Sequence, residues 1–252
     1  MRVGLIGSGN MASALARGWG EPVLCTDALP ERAQALAAAV GGEAVGSNAE
    51  LARRADLVVL CHKPDQLEPV AAEVAPAGRP IVSILGGVGL DALCAAYPDR
   101  PVFRLMPNVA VAVRRGVICL AHRPDVPGQL RDALVALLER AATVVPLDDR
   151  LMDAATAAMG CSPAYVAYVI EAQVDAAVRL GLPADVAARL VTETTAGTAE
   201  LIAARDHDTL AVRRMVTSPG GSTARGLAAL DAGGVRAAFQ EAAQAVVHGG
   251  RR

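Results

Sequence analysis

The pattern of apolar and polar positions divides the chain into two textures. Through about residue 147, short continuous runs of apolar, β-branched residues alternate with Ala/Leu-rich stretches of helical spacing. The runs at 2–7, 22–26, 57–61, 80–85, 102–106 and 117–121 read as strands. Strands that lack strict alternation are buried on both faces, which predicts a mostly parallel sheet beneath helices. Beyond about Asp148 the strand signals stop. Helices are expected near 163–181, 184–204, 208–216, 223–231 and 234–247, punctuated by Gly181-Leu182-Pro183, Pro219-Gly220-Gly221 and Gly233-Gly234. The expected organisation is an α/β domain over 1–147 and an all-α domain over 148–252.

The helix after Pro163 confines its charges to Glu171, Asp175 and Arg179, spaced i, i+4, i+8, and is otherwise Val, Ile, Ala and Tyr. A helix apolar on most faces must be covered on most faces. A homodimer interface does this readily. The longest uncharged stretch, 154–170, contains Ser162-Pro163 and is flanked by Asp153 and Glu171. It falls short of the ~20 residues a membrane span needs and reads as a buried helix.

Composition narrows the function. With 252 residues, 53% hydrophobic and a net charge of −2, the chain is neither a disordered tail nor a dedicated binder of nucleic acid or anionic membranes. Its six aromatics offer no base-stacking platform. The five cysteines and four histidines are scattered and lack metal-ligand spacing, so reduced thiols, a cytoplasmic location and no metal site are expected. An A-x-A match at Ala14-Leu15-Ala16 is not read as secretory cleavage, because Ser8 and Asn10 interrupt the apolar run before it.

Candidate chemistry begins at the first strand–helix turn. Gly7-Ser8-Gly9-Asn10-Met11-Ala12 follows an apolar strand and opens a helix, the context in which G-x-G-x-x-G/A binds a dinucleotide. Gly7 permits the tight turn, Gly9 the approach of a pyrophosphate, and Ala12 close packing of helix on sheet. The helix N-terminus then offers unpaired N–H groups to the phosphates. Asp27 lies 18 residues after Gly9, where an acid accepts hydrogen bonds from the adenosine ribose and favours NADH. Arg32, just beyond it, could serve the 2′-phosphate of NADPH, so both cofactors stay open.

Lys63 is the one lysine among 24 basic residues. It follows the strand at 57–61, at the carboxyl end where open α/β sheets bind ligands. In the second half, Thr217-Ser218-Pro219-Gly220-Gly221-Ser222-Thr223 precedes a helix, with Ser222 expected as its N-cap. The glycines let N–H groups turn inward, forming an anion nest sized for one carboxylate.

On these residues the chain resembles the pyrroline-5-carboxylate reductase family. The likeness also runs through Lys63-Pro64, Arg104-Leu105-Met106-Pro107-Asn108, Ser162-Pro163-Ala164-Tyr165 and Gly233-Gly234-Val235-Arg236. It implies a Rossmann-like dinucleotide-binding domain followed by an α-helical dimerisation domain, assembled as a homodimer or a ring of dimers. It also implies reduction of the cyclic imine carboxylate 1-pyrroline-5-carboxylate to L-proline with NADPH or NADH. Carried over residue by residue, Gly7, Gly9, Asn10, Met11, Asp27 and Asn48 would hold the cofactor. Asn48 would contact the adenosine ribose, and Lys63, Pro64 and Asn108 would lie near the nicotinamide. Ser218, Gly221, Ser222 and Thr223 would hold the substrate carboxylate, with Thr223 as proton donor and Lys63 as the other catalytic residue.

The β-hydroxyacid dehydrogenases use a catalytic Lys in the second half, and this chain has none after Lys63. Met159 and Cys161 stand where the family has serine hydroxyls, and Val109-Ala110 replaces Thr-Pro. Reduction of a related cyclic imine carboxylate, or a catalytically silent nucleotide-binding paralogue, are therefore the alternatives.

Overall fold

Side chains of successive strand residues point to opposite faces, so an apolar run of four or five supplies two cores at once. The first unit of this structure, a computed structural model describing residues 1–249, is built that way. Its elements are β1 (Val3–Ile6), α1 (Asn10–Trp19), β2 (Leu24–Thr26), α2 (Pro30–Val40), β3 (Glu43–Ala44), α3 (Asn48–Arg54), β4 (Leu57–Leu60), α4 (Leu67–Val74) and β5 (Ile81–Ser83). They continue with α5 (Leu90–Ala96), β6 (Val102–Pro107), β7 (Gly116–His122), α6 (Gly128–Leu138) and β8 (Ala142–Pro146). Leu5, Val59, Val82, Phe103 and Ile118 pack against α1, α2 and α6. Their neighbours Ile6, Val58, Leu60, Ile81 and Cys119 pack against α3, α4 and α5.

The eight strands lie in the order β3-β2-β1-β4-β5-β6-β7-β8. All neighbours are parallel except β6 and β7, which run antiparallel with Met106 opposite Cys119. Strand order reverses between β1 and β4, and the carboxyl ends of the strands at such a switch point are where open α/β sheets take their ligands. The six predicted strands are present. Two were not predicted: β3 has two exposed residues, and β8 is a half-exposed edge strand ending in a proline.

After β8 the chain packs back on the first unit through Asp149, α7 (Met152–Ala155) and a π-helical turn at Thr156–Gly160. Met152 is fully buried in the second core layer. Asp149 takes Arg104 in an ion pair at 2.8 Å and accepts the Leu90 N–H at 3.1 Å, joining the start of α5 to β6. Compact packing consequently changes over after Cys161, although strands end at Pro146.

The second unit, Ser162–Gly249, holds α8 (Ser162–Arg179), α9 (Ala184–Ala203), α10 (Thr209–Met215), α11 (Ser222–Ala232) and α12 (Val235–Gly249). These match the predicted helices closely. The stretch 154–170 is not the single buried helix expected: the π turn breaks it, and α8 buries no residue within one chain. Within this unit only Ala187 and Val212 are buried among the described residues. Tyr165 of α8 meets Phe239 of α12 edge to face, ring centroids 6.5 Å apart. Among the described residues, no helix is long and apolar enough to cross a membrane.

Candidate active site

The glycine turn after β1 is shaped by close packing on one side and open space on the other. Gly7 has φ +96°, and a Cβ there would lie 2.7 Å from the carbonyl of Cys61 at the end of β4. No other residue fits. Gly9 has ordinary extended geometry and nothing within 4 Å of a Cβ, which leaves room for a ligand to approach the backbone. Ala12 is buried against the sheet, and Gly9 serves as N-cap with no side-chain hydrogen bond. The first-turn N–H groups of α1 thus face outward without a helical acceptor. Asn10 opens the helix on its exposed side, while Met11 packs on the first core layer.

The end of β2 meets this turn. Gly7 donates its N–H to the Thr26 carbonyl at 2.9 Å and Ser8 Oγ donates to the same carbonyl at 3.1 Å. Asp27 Oδ2 accepts the Ser8 N–H at 2.7 Å, and Asp27 Oδ1 accepts the Leu29 N–H at 3.0 Å. Asn48, the first residue of α3, accepts the Thr26 hydroxyl at 2.7 Å. The structure therefore brings Gly7, Gly9, Asp27 and Asn48 together at the carboxyl edge of the sheet. Beside them a cavity of about 400 Å³ is lined by Ser8, Gly9, Asn10, Ser13, Arg17 and Arg32 among others. Sequence reasoning missed Ser13 and Arg17. Their signal was the spacing Asn10, Ser13, Arg17, which lays three polar residues along one helix face.

Beside this turn, β4 is followed by Cys61, His62 and Lys63. Lys63 is exposed and precedes Pro64, which starts a short 3₁₀ turn. The Cys61 thiol is desolvated and pushed up to about 12, so it is no nucleophile near neutrality. Burial pulls His62 below its ordinary value; the His62 Nδ1–H donates to the Lys63 carbonyl at 2.8 Å, leaving Nε2 buried without a partner. Asn108 is buried at the end of β6. Its Oδ1 accepts the Val117 N–H at 3.2 Å, and its Nδ2 approaches the Met159 carbonyl of the π turn at 3.4 Å. The Asn108 amide is thus a tie between β6, β7 and that turn. Met159 packs against the second core layer, as does Met106, while Val109 is half-exposed.

In the second unit, Gly220 adopts φ +68° and Gly221 passes so near Ser218 that a Cβ would lie 2.5 Å from its Oγ. The N-cap of α11 is Gly221, with Ser222 one residue inside; the expected cap by Ser222 does not form, because the second glycine already completes the turn. Gly221 donates its N–H to Ser218. The N–H groups of Ser222, Thr223 and Ala224 then have no helical acceptor. Ser218, Ser222 and Thr223 are exposed, and Arg225 braces the loop through the Gly220 carbonyl at 2.8 Å. This is a three-donor nest at the positive end of an 11-residue helix, suited to one carboxylate. Among the described residues no cluster of His, Cys, Asp and Glu could hold a metal ion.

Residues 149–252 match the family model for pyrroline-5-carboxylate reductase dimerisation, and residues 2–87 match the model for coenzyme F420-dependent NADP oxidoreductases. The chain is 40% identical to pyrroline-5-carboxylate reductase of Synechocystis over 201 residues, covering 79% of this chain and 75% of that protein. It is 34% identical to the Pseudomonas aeruginosa pyrroline-5-carboxylate reductase, covering 97% and 93% of the two chains. Its fold is similar to that of Plasmodium falciparum pyrroline carboxylate reductase solved with NADP bound, with TM-score 0.88, 27% identity and coverage of 98% and 95%. The Streptococcus pyogenes 1-pyrroline-5-carboxylate reductase gives TM-score 0.89, 28% identity and coverage of 98% and 96%.

Proposed function

The chain belongs to the pyrroline-5-carboxylate reductase family, and from that premise we propose that it reduces 1-pyrroline-5-carboxylate to L-proline with NADH or NADPH. The observation that supports the reading is the nest at 218–224, whose three N–H donors and flanking hydroxyls suit a carboxylate without metal or triad. Open space over Gly9 and the outward N–H groups of α1 fit a dinucleotide pyrophosphate. When bound, the cofactor supplies the hydride.

What remains for the protein is positioning and one proton. A cyclic imine protonates readily, so the barrier is lowered chiefly by holding the acceptor carbon in place. The N–H groups of Ser222 and Thr223, with the Ser218 hydroxyl, fix the carboxylate. The Thr223 hydroxyl hydrogen-bonds the ring nitrogen and relays to it a proton taken up from solvent, so the hydroxyl is restored as the nitrogen is protonated. Gly7, Gly9, Asn10 and Met11 seat the cofactor, Asp27 and Asn48 face its adenosine ribose, and Lys63, Pro64 and Asn108 frame its nicotinamide end. Lys63, the chain's one lysine, lies just past the end of β4, where its ammonium offsets anionic charge.

The protein works as a homodimer paired through its helical unit, or as a ring of such dimers, and its five free thiols favour a cytoplasmic setting. The test is oxidation of NADH and NADPH with racemic pyrroline-5-carboxylate at neutral pH, run beside the six-membered ring homologue. Turnover with the five-membered ring supports the reading; turnover with the six-membered ring alone moves the substrate. Thr223→Ala should lower kcat about 10²-fold or more with cofactor affinity near normal, and Thr223→Ser should restore most of it. An unchanged kcat in Thr223→Ala removes the proton-donor role.

A further inference from the structure

Resting on the reductase reading, we infer that this enzyme selects NADH because Asp27 fills, from within, the anion site that the 2′-phosphate of NADPH would need. The backbone N–H groups of Ser8 and Leu29 converge at the carboxyl end of β2, where the adenosine ribose lies in dinucleotide folds. Two convergent amides are the donors an anion seeks. Here the Asp27 carboxylate takes both, one oxygen to each, at 2.7 and 3.0 Å. A 2′-phosphate finds the donors occupied and a fixed negative charge in its way. A ribose hydroxyl finds spare lone pairs on the same carboxylate, so one side chain both rejects the phosphorylated cofactor and holds the other.

The surroundings show that the selection depends on Asp27 rather than on any lack of positive charge. Arg17 and Arg32 line the adjoining cavity, both are exposed, and among the described residues neither guanidinium makes an ion pair or hydrogen bond. Arginine is the residue suited to holding a phosphate. Freed from Asp27, the amides of Ser8 and Leu29 would join these two guanidiniums in a complete phosphate site. The chain thus carries a latent NADPH site one substitution away.

Isothermal titration with NAD⁺, NADP⁺, 5′-AMP and 2′,5′-ADP tests this without turnover. The unsubstituted protein should bind NAD⁺ and 5′-AMP about tenfold or more tighter than their 2′-phosphorylated counterparts. Asp27→Ser should reverse the order for both pairs. Asp27→Asn removes the charge while keeping the shape, and should bring the ratio near one if Asp27→Ser proves unstable. Adding Arg32→Gln to Asp27→Ser should cost most of the gained NADP⁺ affinity. Tighter binding of NADP⁺ by the unsubstituted protein, or an unmoved ratio in both Asp27 variants, overturns the inference and leaves the reductase reading standing. If neither dinucleotide binds, the cofactor reading falls and this inference with it.

Discussion

Gly7 and Gly9 stand two positions apart and answer to different demands. Gly7 is required by the fold: its φ is +96° and its missing Cβ makes room for the Cys61 carbonyl. Gly9 is in an ordinary conformation with open space beyond it, so its smallness serves what arrives there. Gly7→Ala should therefore lower stability by about 2–4 kcal/mol, read by denaturant unfolding. Gly9→Ala should leave stability within about 0.5 kcal/mol and weaken dinucleotide binding by about tenfold or more, read by titration. Equal losses of stability in the two variants would contradict this division. The glycine turn, Asp27, Lys63 and the Ser218–Thr223 loop were legible because their types are rare or conformationally demanding. What each side chain holds was not. Asp27 grips two backbone amides and Asn108 ties a π turn, and both partnerships depend on chain crossings that spacing does not report.

Elements were legible in proportion to their burial. Strands with apolar residues on both faces stood out, whereas the two-residue β3 and the edge strand β8 carry too little apolar pattern. The π turn at Thr156–Gly160 was also hidden, since Thr-Ala-Ala-Met-Gly is compatible with a continuous helix. The stretch leading into that turn is held to the sheet in part by the pairing of Asp149 with Arg104, whose side chain is 5% exposed against 30% for the acid. Removing the acid strands a buried guanidinium and also frees the Leu90 N–H. Asp149→Ala should cost about 2–4 kcal/mol, less than a fully buried pair because the acid is partly solvated. Replacing both partners, Arg104→Met with Asp149→Ala, should recover part of the loss. Thermal or denaturant unfolding of the two variants checks the difference, and equal losses would count against a stranded charge.

At the scale of the whole molecule, the two units differ in what they can do alone. The first closes two apolar layers around its sheet. The second leaves Val166, Tyr168, Leu190, Leu230 and Phe239 between 47% and 73% exposed. Exposed apolar surface on this scale marks an interface, and the matched dimerisation model spans the same helices. The melting temperature should accordingly rise with protein concentration. Tyr168→Glu, placing a charge at a position 73% exposed in one chain, should shift sedimentation toward the monomer and weaken pairing by about 2 kcal/mol or more. An unchanged mass would place the interface on another face. A unit that buries only Ala187 and Val212 by itself has a consequence for inheritance as well as for folding. The dimerisation family it matches supports pairing with another copy, and a damaged chain that still pairs is then not merely absent: it occupies a sound one. Where intact and damaged copies are made in equal amounts and pair at random, most pairs contain at least one damaged member, so the lesion reaches further than its own share of the chains.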